Sequence, residues 1–328
     1  MRKYFFLFLL ILCFSFSAIF ATEIKKTYEK RFDIQPGGQV TVEADEGDIR
    51  VNSWDKAEVE VFWTKKVRGK NTEEAEKRLD LAKVHINKVG NRLIIKVVKS
   101  KSDRSFNFWD IFDPDTWNNF SRTPVISIEI KVPKRINLSL SVDEGDVFVD
   151  NVEGNIDIES DEGDIDIYSI KFRQLDLTSD EGDISGSDLI NSDGRIYIEV
   201  DEGDVTLKNV QTGRLSFECD EGDAQFENLI CEKGYFLADE GNIELGIAEL
   251  NENDRYQIST DEGDFIIYLP GDPNVTLDLE SNDGRIRSDF PVKIDKKDDW
   301  QRCQDTLGDG SALIKAYTDE GHISLRKF

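Results

Sequence analysis

The sequence predicts an all-β protein: a single-stranded parallel β-solenoid with coils of about 20 residues, preceded by a small β-rich N-terminal region with one short helix. Three observations lead there. The tripeptide Asp-Glu-Gly occurs nine times, with glycines at Gly47, Gly145, Gly163, Gly182, Gly203, Gly222, Gly241, Gly263 and Gly321, and Asn282-Asp283-Gly284 makes a tenth corner. From Gly145 to Gly284 successive glycines lie 18, 19, 21, 19, 19, 22 and 21 residues apart, the spacing of a stacked repeat. Between corners, apolar and polar residues alternate, as in strands with one buried face.

The first residues read as an export signal. Arg2 and Lys3 give a positive start, Tyr4 to Phe16 is almost continuously apolar, and Ser17, Ala18 and Ala21 are small. This places a signal peptide at 1–21; an uncleaved anchor is the alternative. The chain is then exported, to the periplasm, the cell surface or the exterior, with no later transmembrane segment.

Residues 22–124 form the N-terminal capping region. Val40, Val42 and Ala44 alternate into the first corner, Ile49 and Val51 follow it, and Val59, Val61 and Trp63 make another strand. Thr72 to Ala82 is rich in helix formers, with Ala75, Leu79 and Ala82 on one face. A hairpin turns at Gly90-Asn91. The aromatic loop 100–124, with Phe106, Phe108, Trp109, Phe112, Trp117 and Phe120, has two readings. It is an exposed docking segment or, the favoured reading, a cover over an open end of the sheet.

The repeat array occupies 125–328. In the unit from Gly145, Val147, Val149, Ile156, Ile158 and Ser160 point inward while Phe148, Asp157 and Glu159 point out. A second corner falls near Asn151 to Gly154, with Asn209 and Asn228 at like places and Val152, Ile170, Ile190, Val210, Ile230 and Leu250 just after it. Each coil pairs with the next through parallel backbone hydrogen bonds and stacks its apolar residues into one core. A β-sandwich is the competing fold, but it requires no vertical identity between corners. An insertion or cap near 287–316 interrupts the array, and His322 to Phe328 reads as a last edge strand guarded by Arg326 and Lys327.

A formal charge of -26 excludes the electrostatics of a nucleic-acid binder and invites cations. Three cysteines follow the leader. Cys219 stands where other units have Ser160, Ser179, Val200 and Thr260, so it reads as a buried small hydrophobe; a Cys219–Cys231 or Cys231–Cys303 bridge is the alternative.

The chain resembles the bacterial adhesin-like family DUF4097 and its β-solenoid relatives. The resemblance rests on FDIQPGGQVTVEADEGDIRVNSWDKAEVEVFWTKKV, on ISIEIKVPKRINLSLSVDEGDVFVDNVEGNIDIESDEGDI, and on the Gly-Asp-Ile-like corners that follow. It implies an exported, non-catalytic envelope or surface protein that engages a cell-surface or envelope component, a polymer or a cationic surface. Corners of the family are commonly rich in Ser or Thr before the glycine; the Asp-Glu here departs from that pattern.

Turn geometry accounts for the glycine, and the leading Asp is expected to bond its own downstream amides. It gives no reason for the glutamate. Stacked at about 4.8 Å, like charges repel by somewhat under about 1 kcal/mol in water and by roughly 3–4 kcal/mol at an effective dielectric near 20. One relief is calcium, which takes carboxylate and carbonyl oxygens. The candidate ligands are Asp143, Glu144 and Asp146; Asp161, Glu162 and Asp164; Asp180, Glu181 and Asp183; Asp201, Glu202 and Asp204; Asp220, Glu221 and Asp223; and Asp261, Glu262 and Asp264. The other reading is a solvated acidic edge on a purely structural envelope protein. A polysaccharide-active β-helix enzyme is the catalytic competitor. It needs one unique constellation, whereas these carboxylates are copied in every coil and the two histidines, His85 and His322, lie far apart in sequence.

Overall fold

The structure, a computed structural model, describes residues 22–99 and 123–328. The leader 1–21 and residues 100–122 of the aromatic loop lie outside the described residues. The described strands join one continuous sheet folded into a flattened two-faced stack. The first face holds the strands that run into the acidic corners. Ile136–Glu144, Ile156–Glu162 and Gln174–Glu181 pair in parallel, and the row continues through the second halves of Ile184–Glu202, Val205–Glu221 and Ala224–Glu240 to Arg255–Glu262. The second face holds the strands leaving them, from Val147–Asp150 through Ile165–Tyr168 to Ile243–Ile247 and Phe265–Leu269.

Alternation decides what lies between the faces. Ile158, Leu177, Ile198 and Phe217 stack from one face and Ile165, Ile184, Val205 and Ala224 from the other, all buried. Aromatic rings thicken the middle: Phe226 packs edge-on against Phe217 at 5.5 Å and Phe236 at 5.1 Å. Tyr256 fills the space left by Gly234, its register partner, and donates its hydroxyl to the Cys231 carbonyl at 2.9 Å. The expected inward residues Val152, Ile170 and Val210 are buried. At the other three places, Ile190, Ile230 and Leu250, the reading is corrected: Leu189, Leu229 and Ile247 are the register equivalents, and Ile190 is 43% exposed. For Leu189 and Leu229, as for Val152, Ile170 and Val210, the cause is the left-handed residue before it. Asn151, Ser169, Asp188, Asn209 and Asn228 all have φ between 54° and 58°, and the residue directly after it turns inward.

The order of layers differs from the order of the chain at both ends. The coil of Gly38–Glu46 and Ile49–Trp54 sits between Arg92–Lys99 with Val125–Pro133 on one side and Ile136–Glu144 with Val147–Asp150 on the other. Those two flanking layers are consecutive in sequence. Likewise Ala312–Glu320 and Ile323–Lys327 slot between Arg255–Glu262 with Phe265–Leu269 and Val275–Asp283 with Ile286–Ser288. The final segment is therefore not an edge strand, as its charges suggest, because it is paired on both sides along Ile323 to Leu325. The change of sequence pattern at residue 125 is likewise no break in space, since residues 38–54 lie within the stack. Eleven layers result among the described residues, a height of roughly 50 Å.

Antiparallel strands close both ends. Val59–Gly69 lies against Val125–Pro133 and carries Thr22–Phe32 on its outer side. At the other end Trp300–Leu307 lies against Val275–Asp283, with Asp295–Lys297 beyond it. The helix Thr72–Arg78 starts on an Asn71 cap, and Ala75 and Leu79 bury its inner side. Lys65 holds its end by donating to the Leu79 carbonyl at 3.1 Å and the Ala82 carbonyl at 2.5 Å. Glu60 is buried between Arg31 and Lys131, at 2.5 and 3.4 Å. Burial pushes its carboxyl up, but the two cations outweigh this and hold it below the ordinary carboxylate range. A depressed folded-state pKa adds stability above the unfolded value and loses it on acidification.

Two outcomes follow. Gly222 has φ 145° and a Cβ there would overlap the Gly203 carbonyl oxygen, whereas Gly271 faces open space. Gly222→Ala is expected to cost roughly 2 kcal/mol or more in urea unfolding and Gly271→Ala almost nothing. Glu60→Gln is expected to lower Tm at neutral pH, with the difference from the parent shrinking as pH falls through the carboxylate range.

Candidate functional site: the acidic edge

Each acidic corner turns the chain from the first face to the second, and register makes the corners coincide. Glu46, Glu144, Glu162, Glu181, Glu202, Glu221, Glu240, Glu262, Glu320 and Asp283 are successive partners in the ladder. From Gly47 to Gly263 the glycine of each corner donates its N–H to the carbonyl of the next glutamate, at 2.8 Å for Gly145 to Glu162 and 2.9 Å for Gly163 to Glu181, and Gly321 donates to the Asp283 carbonyl. The candidate residues therefore form three rows down one edge. The leading row is Asp143, Asp161, Asp180, Asp201, Asp220 and Asp261. The middle row is Glu144, Glu162, Glu181, Glu202, Glu221 and Glu262, and the trailing row is Asp146, Asp164, Asp183, Asp204, Asp223 and Asp264. All are exposed.

The rows do different things. Each trailing Asp accepts, through Oδ1, the N–H of its counterpart one coil on: Asp164 to Asp146 at 3.2 Å, Asp183 to Asp164 at 3.0 Å, Asp204 to Asp183 at 2.9 Å, Asp223 to Asp204 at 2.8 Å. Asn242 continues the ladder, accepting from Asp264 at 3.0 Å, and Asp264 accepts from His322 at 2.7 Å. His322 Nδ1 then accepts the Arg285 N–H at 3.2 Å. The expectation that the leading Asp stabilises its own turn is thus corrected. A side chain that leaves the corner after the glycine points along the stack and reaches the next amide, whereas among the described residues the side chains of Asp161, Asp180, Asp201, Asp220 and Asp261 make no hydrogen bond.

The buried residue before the leading Asp also serves the corner. Ser160, Ser179 and Ser281 donate to the carbonyls of Gly163, Gly182 and Gly321 at 3.3, 3.4 and 2.8 Å. Cys219 occupies this inward position, as its alternation predicts. Cys219, Cys231 and Cys303 are all free, so neither disulfide forms, and burial pushes their thiols up to about 11, 12 and 11.

The last layer breaks the acidic pattern for a visible reason. Asn282 donates to Asp319 Oδ1 at 2.5 Å and the Tyr317 hydroxyl donates to the same oxygen at 2.9 Å. These bonds hold the Asp319 carboxyl below its ordinary range. No side chain among the described residues donates in this way to Asp161, Asp180, Asp201, Asp220, Asp261 or the glutamates from Glu162 to Glu262. Among the described residues no group of three or more Asp, Glu, His or Cys side chains is arranged to hold a metal ion.

The signal for the trailing row was present in the sequence as Asp-Glu-Gly-Asp, but the direction of its side chain appears only in the stack. Asp204→Ala is expected to lower Tm by on the order of 2 °C, and Asp204→Asn, which keeps an acceptor oxygen, to leave it near the parent.

The sequence profile of the Toastrack DUF4097 family matches residues 53–326. No functionally curated protein matches the chain. Solved structures align over most of its length at low identity. A "putative adhesin" from Bacteroides fragilis is 15% identical, with 92% of this chain and 97% of that one covered and a TM-score of 0.40. A "putative lipid binding protein" from Parabacteroides distasonis is 14% identical, with coverages of 91% and 96% and a TM-score of 0.42. A "putative adhesin" from the same species is 10% identical, with coverages of 91% and 97% and a TM-score of 0.42.

Proposed function

The chain belongs to the Toastrack DUF4097 family, and on that basis we propose that it is an exported, non-catalytic cell-envelope or surface protein, adhesin-like in action. It works by display. A rigid stack holds two rows of exposed carboxylates on one edge and offers them to a cationic surface. The single observation that supports this reading most is the register: the same exposed Asp and Glu recur in every layer from Asp143-Glu144 to Asp261-Glu262.

Catalysis needs one group set apart from its neighbours. Here the trailing Asp is engaged with a backbone amide and the other two acids are repeated without distinction. Repetition serves avidity instead, because weak contacts summed along a rigid edge give retention that no single corner provides. Export rests on the apolar leader. Among the described residues no helix is long and apolar enough to cross a membrane.

Divalent cations, calcium included, enter this reading as counterions along the ridge, a choice supported by the lack of any group of three or more Asp, Glu, His or Cys placed to hold a metal ion among the described residues. Calcium and sodium chloride at equal ionic strength are then expected to raise Tm by similar amounts. A much larger rise with millimolar calcium would show ligated sites and replace this part of the proposal.

The middle row tests the display reading. Replacing Glu162, Glu181, Glu202, Glu221 and Glu240 together by Gln removes charge without removing any side-chain hydrogen bond. Retention of the purified protein on amine-coated beads is expected to fall, and to fall less steeply with added salt, while the melting curve is preserved. Unchanged retention would refute the ridge as the contact surface.

A further inference from the structure

The edge opposite the acidic ridge carries a cationic row. Arg195 is the register partner of Arg214, Arg214 of Lys233, and Lys233 of Arg255. All four side chains are exposed, and among the described residues none lies within salt-bridge distance of a carboxylate, Arg255 acting on the neighbouring Asp254 carboxyl only at longer range. Arg214 lies over the ring of Tyr235 at 5.7 Å, and Arg255 donates to the Asp254 carbonyl at 2.8 Å. In a chain with a net charge of -26, four unpaired cations stacked one per coil repel each other at about 4.8 Å. The fold does not ask for them. The same ladder position holds Gln174 on the layer before and Leu313 on the layer after.

The surroundings are those of a binding surface. An open groove of about 380 Å³ runs beside the row, lined by Gly194, Arg195, Gly213, Arg214 and Lys233, with Asp193 and Glu232 as its acidic members. A Cβ on Gly213 would come within 2.8 Å of the Ser192 carbonyl oxygen, so this part of the wall is bare backbone. Two residues further along the first face, and so on the same outward side, stand Tyr197, Ser216, Tyr235 and Gln257. Tyr235 is 41% and the neighbouring Leu237 47% exposed. Cations are thus flanked by an accessible aromatic ring on a flat, rigid face.

We propose that this row binds an extended acidic polysaccharide, a polyuronate-type chain lying along the stack axis. The cations repeat once per coil, and a linear polyuronate carries one carboxylate per sugar and advances by about one coil rise per sugar. Guanidinium groups suit carboxylates through paired N–H donors, and the Tyr235 ring offers a face to the C–H side of a sugar. Duplex nucleic acid carries one charge per about 1.7 Å of axis and meets far stronger repulsion from the rest of this acidic protein. The site is on a different edge from the acidic ridge and does not depend on the display reading.

The test uses the full mature chain, calcium-free buffer and polygalacturonate, with neutral dextran and duplex DNA as comparison polymers. The chain is expected to bind polygalacturonate and neither of the others, with affinity falling as salt rises. The variant combining Arg195→Gln, Arg214→Gln, Lys233→Gln and Arg255→Gln is expected to weaken binding by on the order of tenfold or more and to flatten the salt dependence, with Tm unchanged. If that variant does not fold, Arg214→Gln and Lys233→Gln singly are expected to show the same direction. Neutralising Glu202 and Glu221 is expected to leave binding intact or stronger. Failure of the parent to bind polygalacturonate, tighter binding to DNA, or equal binding by the variants would overturn the proposal. So would sedimentation showing that the row instead joins copies of this chain, with the variants monomeric.

Discussion

The structure depends on one close backbone approach, repeated at the Asp-Glu-Gly corners from Gly145 to Gly263. The glycine takes a positive φ and donates its N–H to the glutamate carbonyl of the next coil, and its Cα faces the carbonyl of the glycine in the layer beside it. No side chain fits between the two. This contact sets the vertical register, because a coil displaced by one residue would put a Cβ against that carbonyl. Register then sets everything else. It lines up the buried Ile, Leu and Val columns, brings each trailing Asp to the amide above it, and superimposes the charges on both edges.

The charges are a consequence that the fold tolerates unevenly. The trailing Asp offsets its repulsion by capping an amide, and the Asn282 layer offsets it by donating to Asp319. Among the described residues Asp161, Asp180, Asp201, Asp220 and Asp261 and the glutamates from Glu162 to Glu262 make no such side-chain hydrogen bond, and on the far edge the row Arg195, Arg214, Lys233 and Arg255 has only the Tyr235 ring beside Arg214 and backbone carbonyls beside Arg255. Groups that cost stability without structural return are where function is expected in a repeat protein, since the scaffold would be more stable without them. The two edges are of opposite sign and are separated by the width of a seven-residue strand run, from Arg195 to Glu202, about 23 Å.

Much of this was legible in the sequence. The period of the glycines gave the coil, and the alternation of Val147, Val149, Ile156 and Ile158 gave its buried side. Alternation also located Cys219 correctly. The misses share a cause: sequence order is not stacking order, and local pattern is blind to what lies one coil away. The second corner was placed one residue late at Ile190 because Asp188 turns left-handed, as Asn209 does, without being an asparagine. The coil ending in Glu320 follows the Asn282 corner in sequence, yet it lies before it in the stack. Two edge-like arginine and lysine residues at the end of the chain suggested a terminal strand that is in fact paired on both sides. The cationic row also had a signal, a basic residue seven positions before each of Glu202, Glu221, Glu240 and Glu262. It becomes a row only once those glutamates are known to be in register.

In-register stacking is the premise of both binding surfaces, and distances between spin labels on the glutamate row test it directly. With one label at position 144 and the second moved in turn to 202, 221, 240, 262, 320 and 283, the separation is expected to grow by about 4.8 Å per layer, with 320 nearer than 283. Separations that do not grow linearly along this series, or a label at 283 nearer than one at 320, would contradict it.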